Sequence, residues 1–263
     1  MITIKTLQEK KHNNEKIVSL TAYDFITAKA LDESDVDMIL VGDSLGMVVY
    51  GYDSTVAVTM DDMKRHTAAV VKGVSNTLVI TDMPFSSYHL SIKDSLINAR
   101  ELIRAGAKGI KLEGASPFIV SVIERMTEAG MLIIGHLGFT PQQVNKLGGN
   151  LIQGRNKKIA EKLKQDALIL EKAGVSMLVL EMVPEELAKE ITESLQIPTI
   201  GIGAGKYCDG QILVTHDLLG LYTPFKPKFV KRYSSQFDSM KEAVKVYSNE
   251  VKNLIFPGKD NVY

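Results

Sequence analysis

Ionisable side chains recur at the ends of short apolar runs in this chain. Asp43 follows Ile39-Leu40-Val41-Gly42, Asp82 follows Val79-Ile80-Thr81, His136 follows Ile133-Ile134-Gly135 and Glu181 follows Leu178-Val179-Leu180, while Lys111 and Glu113 lie within Ile110-Lys111-Leu112-Glu113. Isolated charges are expensive to bury in such surroundings, so they must pair or hold something. Asp43, Asp82 and Glu113 form an all-oxygen, hard donor set that suits magnesium better than zinc, and no Cys or His cluster has zinc-ligand spacing. A hard cation with open positions can take the keto and carboxylate oxygens of a small 2-oxo acid and stabilise an enolate. Lys111 adds positive charge beside the same oxygens, and Glu181 is the candidate base for the proton next to the ketone. Each residue also has a plainer reading. Asp43, Asp82 and Glu181 suit helix capping, Lys111 and Glu113 a structural ion pair, and His136, read as a substrate contact, suits a hydrogen-bonded support equally well.

The elements that must position these groups are eight short, β-rich runs, at residues 17–22, 38–42, 78–82, 109–113, 132–137, 177–182, 199–203 and 212–215. Amphipathic segments at 91–105, 117–129, 157–173 and 185–194 lie between them, and three end in an Ala-Gly pair suited to a helix C-terminus: Ala105-Gly106, Ala129-Gly130 and Ala173-Gly174. Strands buried on both faces and alternating with helices make a parallel α/β fold. Eight units without a composition break favour one (β/α)8 (TIM) barrel domain over 1–263 rather than an open doubly wound sheet. In such a barrel the chemistry sits at the C-terminal ends of the strands, where five consecutive runs deliver ionisable residues. The period of two places Lys111 and Glu113 on one face, opposite Ile110 and Leu112. Residues 204–210 are too few for a crossover helix, so the connection between strands 7 and 8 is degenerate. The Gly-, Gln- and Asn-rich stretch 138–156 reads as a functional loop or lid, and 234–254 as a final helix.

Lys plus Arg and Asp plus Glu both number 31, so no net field draws the chain to nucleic acid or an anionic membrane. The lone cysteine, Cys208, excludes an internal disulfide. Residues 1–15 lack the apolar core of a signal peptide, and no run approaches a membrane span, so a cytoplasmic location is expected.

The ordered segments Leu20-Thr21-Ala22-Tyr23-Asp24, Val41-Gly42-Asp43-Ser44-Leu45-Gly46-Met47, Asp82-Met83-Pro84-Phe85, Lys111-Leu112-Glu113-Gly114 and Gly135-His136-Leu137-Gly138 closely resemble the ketopantoate hydroxymethyltransferase family. Gln153-Gly154-Arg155, Gly201-Ile202-Gly203-Ala204-Gly205, Cys208-Asp209-Gly210-Gln211, His216-Asp217 and Lys228-Phe229-Val230-Lys231-Arg232-Tyr233 extend the likeness over most of the chain. The resemblance implies that Asp43 and Asp82 bind magnesium, that Glu113 completes the site directly or through water, that Ser44 and Lys111 contact the 2-oxo acid, and that Glu181 is the proton acceptor. It further implies a magnesium-stabilised enolate of 3-methyl-2-oxobutanoate attacking the one-carbon unit of 5,10-methylenetetrahydrofolate in pantothenate biosynthesis, in a homodecamer of two pentameric rings. The sequence departs from the family's commoner residues at Ser86, often Gly, at Asn150-Leu151 and at Lys206-Tyr207. The alternative is a magnesium-dependent lyase or mutase of the isocitrate lyase/phosphoenolpyruvate mutase type. Those enzymes carry a cysteine in a Lys-Lys-Cys-Gly-His type segment, which this chain lacks.

Overall fold

The computed structural model describes residues 1–221, 226–233 and 239–263. Its eight strands are β1 (Ile17–Thr21), β2 (Met38–Val41), β3 (Leu78–Asp82), β4 (Gly109–Glu113), β5 (Ile133–Gly138), β6 (Met177–Glu181), β7 (Thr199–Ile202) and β8 (Gly210–Leu213). All neighbours pair in parallel, and β8 returns to β1, so the sheet is a closed barrel.

Alternation along the strands sorts the apolar residues into two cores. Val18, Leu20, Ile39, Val41, Ile110, Leu112, Leu178 and Leu180 face outward and pack under the surrounding helices. Ile17, Met38, Leu40, Leu78, Ile80, Ile134, Met177, Val179, Ile200 and Ile212 fill the barrel interior. The N-terminal helix Ile4–His12 adds Leu7 to this inner core, with Ile2 and Ile4 packed beside it. The interior is thus sealed by hydrocarbon at one end. Ionisable side chains begin where this filling stops.

Three of the sequence-predicted helices run Ile92–Arg104, Pro117–Glu128 and Lys157–Lys172, capped at their N-termini by the side chains of Ser91, Ser116 and Asn156. Each ends in its expected Ala-Gly pair, with Gly106, Gly130 and Gly174 at positive φ. The fourth, Glu185–Ser194, follows Pro184. The eighth strand starts two residues earlier than the sequence pattern indicates. A Cβ on Gly210 would stand 2.5 Å from the Ile17 carbonyl oxygen, so β8 must begin with a glycine, a residue that hides a strand in propensity terms. The β7–β8 connection holds no helix, as its length requires. The last helix is Met240–Lys252, and its Tyr247 hydroxyl donates to the Ser19 carbonyl at 3.2 Å. The preceding part of the expected tail helix, 234–238, lies outside the described residues. Among the described residues, no helix is long and apolar enough to cross a membrane.

Gly138 closes β5 at φ +96°, in register with Glu181. A Cβ there would meet the Glu181 carbonyl oxygen at 2.1 Å. Gly138→Ala should therefore combine left-handed backbone strain with overpacking and destabilise the fold by about 2–5 kcal/mol. Urea denaturation checks this; an unchanged midpoint would show that β5 and β6 can separate at no cost.

Candidate functional site

The inward faces of β3, β4, β5 and β6 carry Asp82, Lys111, Glu113, His136 and Glu181 to the C-terminal mouth of the barrel. Register sets Asp82 beside Lys111 and Glu113 beside His136. Asp43 and Ser44 enter from the turn after β2. All seven sequence-predicted residues line one cavity of about 320 Å3. Lys111 and Glu113 share the face that lines this cavity, as their spacing of two residues requires.

Lys111 Nζ lies 3.2 Å from Asp82 Oδ1 and 3.8 Å from Glu113 Oε1. It also stands 3.1 Å from His136 Nδ1. On the other side of the imidazole, Nε2 faces Glu181 Oε2 at 3.2 Å. Ser44 Oγ is 2.8 Å from the Tyr23 hydroxyl. Neither Asp43 nor Asp82 caps a helix. Asp43 Oδ2 accepts from Gln142 Nε2 at 2.8 Å, and Asp82 Oδ2 accepts from the Asp43 backbone N–H at 3.1 Å. Glu181 is no cap either, since the helix Glu185–Ser194 starts after Pro184 without a side-chain cap.

Two residues of this network were not legible as site residues in the sequence: Gln142 and Tyr88. Gln142 Nε2 bridges Asp43 and the Met83 carbonyl, its Oε1 accepts from the Tyr88 hydroxyl at 2.8 Å, and its backbone N–H donates to Glu113 Oε2 at 3.1 Å. Tyr88 in turn accepts the Glu113 backbone N–H at 3.2 Å. Gln142 comes from the 3-10 turn Pro141–Gln143, inside the stretch read as a lid. That loop therefore contributes a fixed strut to the site, buried against the acids. Ser86, in the turn after β3, sits at φ +67°, a conformation glycine adopts more readily.

Burial pushes the Asp43 carboxyl well above its ordinary range, and the negative charges of Asp82 and Glu113 push it further. Asp82 and Glu113 are also raised by burial, with Lys111 opposing the rise in both. Burial works against the Lys111 ammonium, but Asp82, Glu113 and Asp43 overcome it and hold the lysine charged. His136 is lowered, first by burial and then by Lys111, so its imidazole is neutral. Lysine has only donors, so Nδ1 must accept, which leaves the ring proton on Nε2, the nitrogen on the Glu181 side.

Three carboxylates thus face one ammonium in a buried pocket. Among the described residues, no group of three or more His, Cys, Asp or Glu side chains forms a ready-made metal shell. Here Lys111 stands between Asp82 and Glu113, and Gln142 engages Asp43. The cluster nevertheless fits a hard cation in its chemistry. Asp82 Oδ1 and Glu113 Oε1 are buried without a hydrogen bond, and every donor is oxygen.

A family model described as ketopantoate hydroxymethyltransferase matches residues 1–259. A protein of Caldicellulosiruptor bescii named 3-methyl-2-oxobutanoate hydroxymethyltransferase is 52% identical over 262 residues, covering 100% of this chain and 99% of its own. Among solved structures, a phosphonopyruvate hydrolase in complex with oxalate and Mg++ superposes with a TM-score of 0.64 at 12% identity, covering 97% of this chain and 98% of that one. A 2,3-dimethylmalate lyase, described as a member of the PEP mutase/isocitrate lyase superfamily, gives 0.59 at 15% identity and covers 84% of each chain. At such identities the structural likeness speaks for the barrel alone. The full-length sequence match carries more: this chain is an enzyme, a hydroxymethyltransferase, and it belongs to the ketopantoate hydroxymethyltransferase family.

Proposed function

We propose that the chain transfers a hydroxymethyl group from 5,10-methylenetetrahydrofolate to 3-methyl-2-oxobutanoate, giving 2-dehydropantoate (ketopantoate) in pantothenate biosynthesis. The observation that carries this reading is the line of contacts Asp82, Lys111, His136, Glu181 across one cavity. It sets an ammonium and a carboxylate base on opposite sides of a neutral imidazole. Asp43 and Asp82 would hold magnesium, with Glu113 completing the site directly or through water, and the ion would supply positive charge that stabilises the enolate.

The chain's own residues do the rest. Lys111, kept protonated by its acidic neighbours, pairs with developing negative charge on the keto oxygen. Ser44 is oriented by Tyr23 toward the keto acid. Glu181 removes the proton from C3, and the neutral His136 stands against that carboxylate, its Nε2 at 3.2 Å. The nucleophilic C3 then bonds the one-carbon unit, water provides the hydroxyl oxygen, and tetrahydrofolate departs. The same reading makes the protein a cytoplasmic homo-oligomer, a decamer by family resemblance.

Proton exchange at C3 in deuterated water tests the base without any folate. The intact chain should exchange the C3 proton of 3-methyl-2-oxobutanoate when magnesium is supplied, and Glu181→Gln should lower the rate by about 100-fold or more while remaining folded. Retained exchange in Glu181→Gln would remove Glu181 from the role of base.

Stability should report the acid cluster separately. In chelator, the folded chain holds protons on the Asp43, Asp82 and Glu113 cluster more tightly than the unfolded chain, whose carboxyls ionise near pH 4, so the cluster lowers stability as pH rises above that value. Asp43→Asn should relieve this, adding roughly 1–3 kcal/mol at pH 8 and flattening the slope relative to the parent chain. Magnesium should raise the parent's Tm more at pH 8 than at pH 5 and leave Asp43→Asn nearly unmoved. Thermal scans across pH measure both; a parallel pair of curves would contradict the charge argument.

A further inference from the structure

The sequence motif His216-Asp217 plays no part in the keto-acid chemistry, yet Asp217 lines the same cavity. It stands on the short helix Thr215–Leu218 directly after β8. That helix is fastened to β1 by Thr215, whose N–H and hydroxyl donate to the Thr21 hydroxyl and carbonyl at 3.1 and 2.5 Å. The backbone carrying Asp217 is therefore held firmly. Its carboxylate is different: among the described residues it takes part in no hydrogen bond or close ion pair. Burial raises its carboxyl to about 6, with Arg232 pulling the other way. A half-buried acceptor pair without donors is one that a ligand can satisfy.

The cavity between Asp217 and Glu181 has an aromatic wall. Phe229 and Tyr263 both line it, and both rings rest on Gly203, where an added Cβ would stand 2.8 Å from Phe229 and 3.2 Å from Tyr263. The Tyr263 end feels the charges of Glu181 and Arg155. At the other end, Asp217 acts on Tyr23, whose hydroxyl meets Ser44. A fused bicyclic ring with a planar pyrimidine half, laid along this wall, would have one edge at Asp217.

We infer that Asp217 anchors the one-carbon donor, its two oxygens accepting from the ring N–H and adjacent exocyclic amine of a 2-amino-4-oxopyrimidine while the fused ring lies along Phe229 and Tyr263. Two neighbouring donors matched to two carboxylate oxygens give the parallel, charge-assisted geometry that fixes both affinity and orientation. The inference rests on the reading that a reduced folate is the co-substrate.

Isothermal titration of the full chain with tetrahydrofolate, in the presence of magnesium and 3-methyl-2-oxobutanoate, tests it. Asp217→Asn puts an amide donor where an acceptor is needed, and it should weaken tetrahydrofolate binding about 10- to 100-fold. The KM for 5,10-methylenetetrahydrofolate should rise in step, while folate-free C3 exchange stays within about twofold of the parent. Unchanged tetrahydrofolate affinity in a variant that still exchanges overturns the assignment. Loss of exchange together with folate binding overturns it too, because Asp217 would then serve the keto-acid site or the fold. Absence of exchange in the parent chain would instead sink the transferase reading beneath it.

Discussion

The structure turns on an unbalanced charge: three carboxylates and one ammonium buried together where the barrel's hydrocarbon filling ends. Such an arrangement opposes folding unless each charge finds a partner, because desolvation weighs on every ion. The closed barrel makes it tolerable. Adjacent parallel strands set Asp82 against Lys111 and Glu113 against His136 by register alone, so complementary groups meet without long side chains having to search for one another. Asp82 Oδ1 and Glu113 Oε1 share the one Lys111 ammonium at 3.2 and 3.8 Å without a formed hydrogen bond, which marks where a further positive charge is of use.

The acids are not merely tolerated; they are braced. Gln142 reaches across the mouth to Asp43, the Met83 carbonyl, Tyr88 and Glu113, so one amide side chain and its own backbone N–H touch the ends of β2, β3 and β4. A glutamine suits this position because its amide donates and accepts at once. A carboxylate in its place would add a fourth negative charge, and an aliphatic residue would strand the Tyr88 hydroxyl and Asp43. The same brace explains why the loop after β5 can be long and glycine-rich without leaving the site undefined: its first turn is tied to the acids.

The parts of this architecture readable in the sequence are those governed by local periodicity. Alternation within Ile110-Lys111-Leu112-Glu113 tells which side chains share a face, and buried strands separated by amphipathic helices tell the fold class. The Ala-Gly helix endings are equally local. Gln142 was not readable because its role depends on Asp43, 99 residues away, and a glutamine in a polar loop looks like any solvated glutamine. Tyr88 fails the same way, since an aromatic residue in a turn carries no sign that its hydroxyl is buried against Glu113. The start of β8 was obscured by Gly210, whose lack of a side chain answers to the close approach of β1 rather than to strand propensity.

Glu181 differs from the other acids in a way that suits the role of base proposed for it. Its side chain is 15% exposed, against 4% for Asp82 and 2% for Glu113. A group that only holds a cation gains from dryness, which strengthens its electrostatic grip. A base must also lose the proton it takes, and that requires a path to water. The backbone enforces this intermediate position. Met182, the next residue, is held at φ +49°, with its N–H donating to the Ile202 carbonyl and its carbonyl accepting from Gln153, both at 2.9 Å. An unfavourable conformation kept in place by bonds on both sides is strain that the surrounding structure over-determines. Together with Gly138, whose missing side chain lets β5 close against the Glu181 carbonyl, it turns the chain sharply just past Glu181. The carboxylate is thereby left at the rim, touching His136 on its dry side and the open cavity on the other.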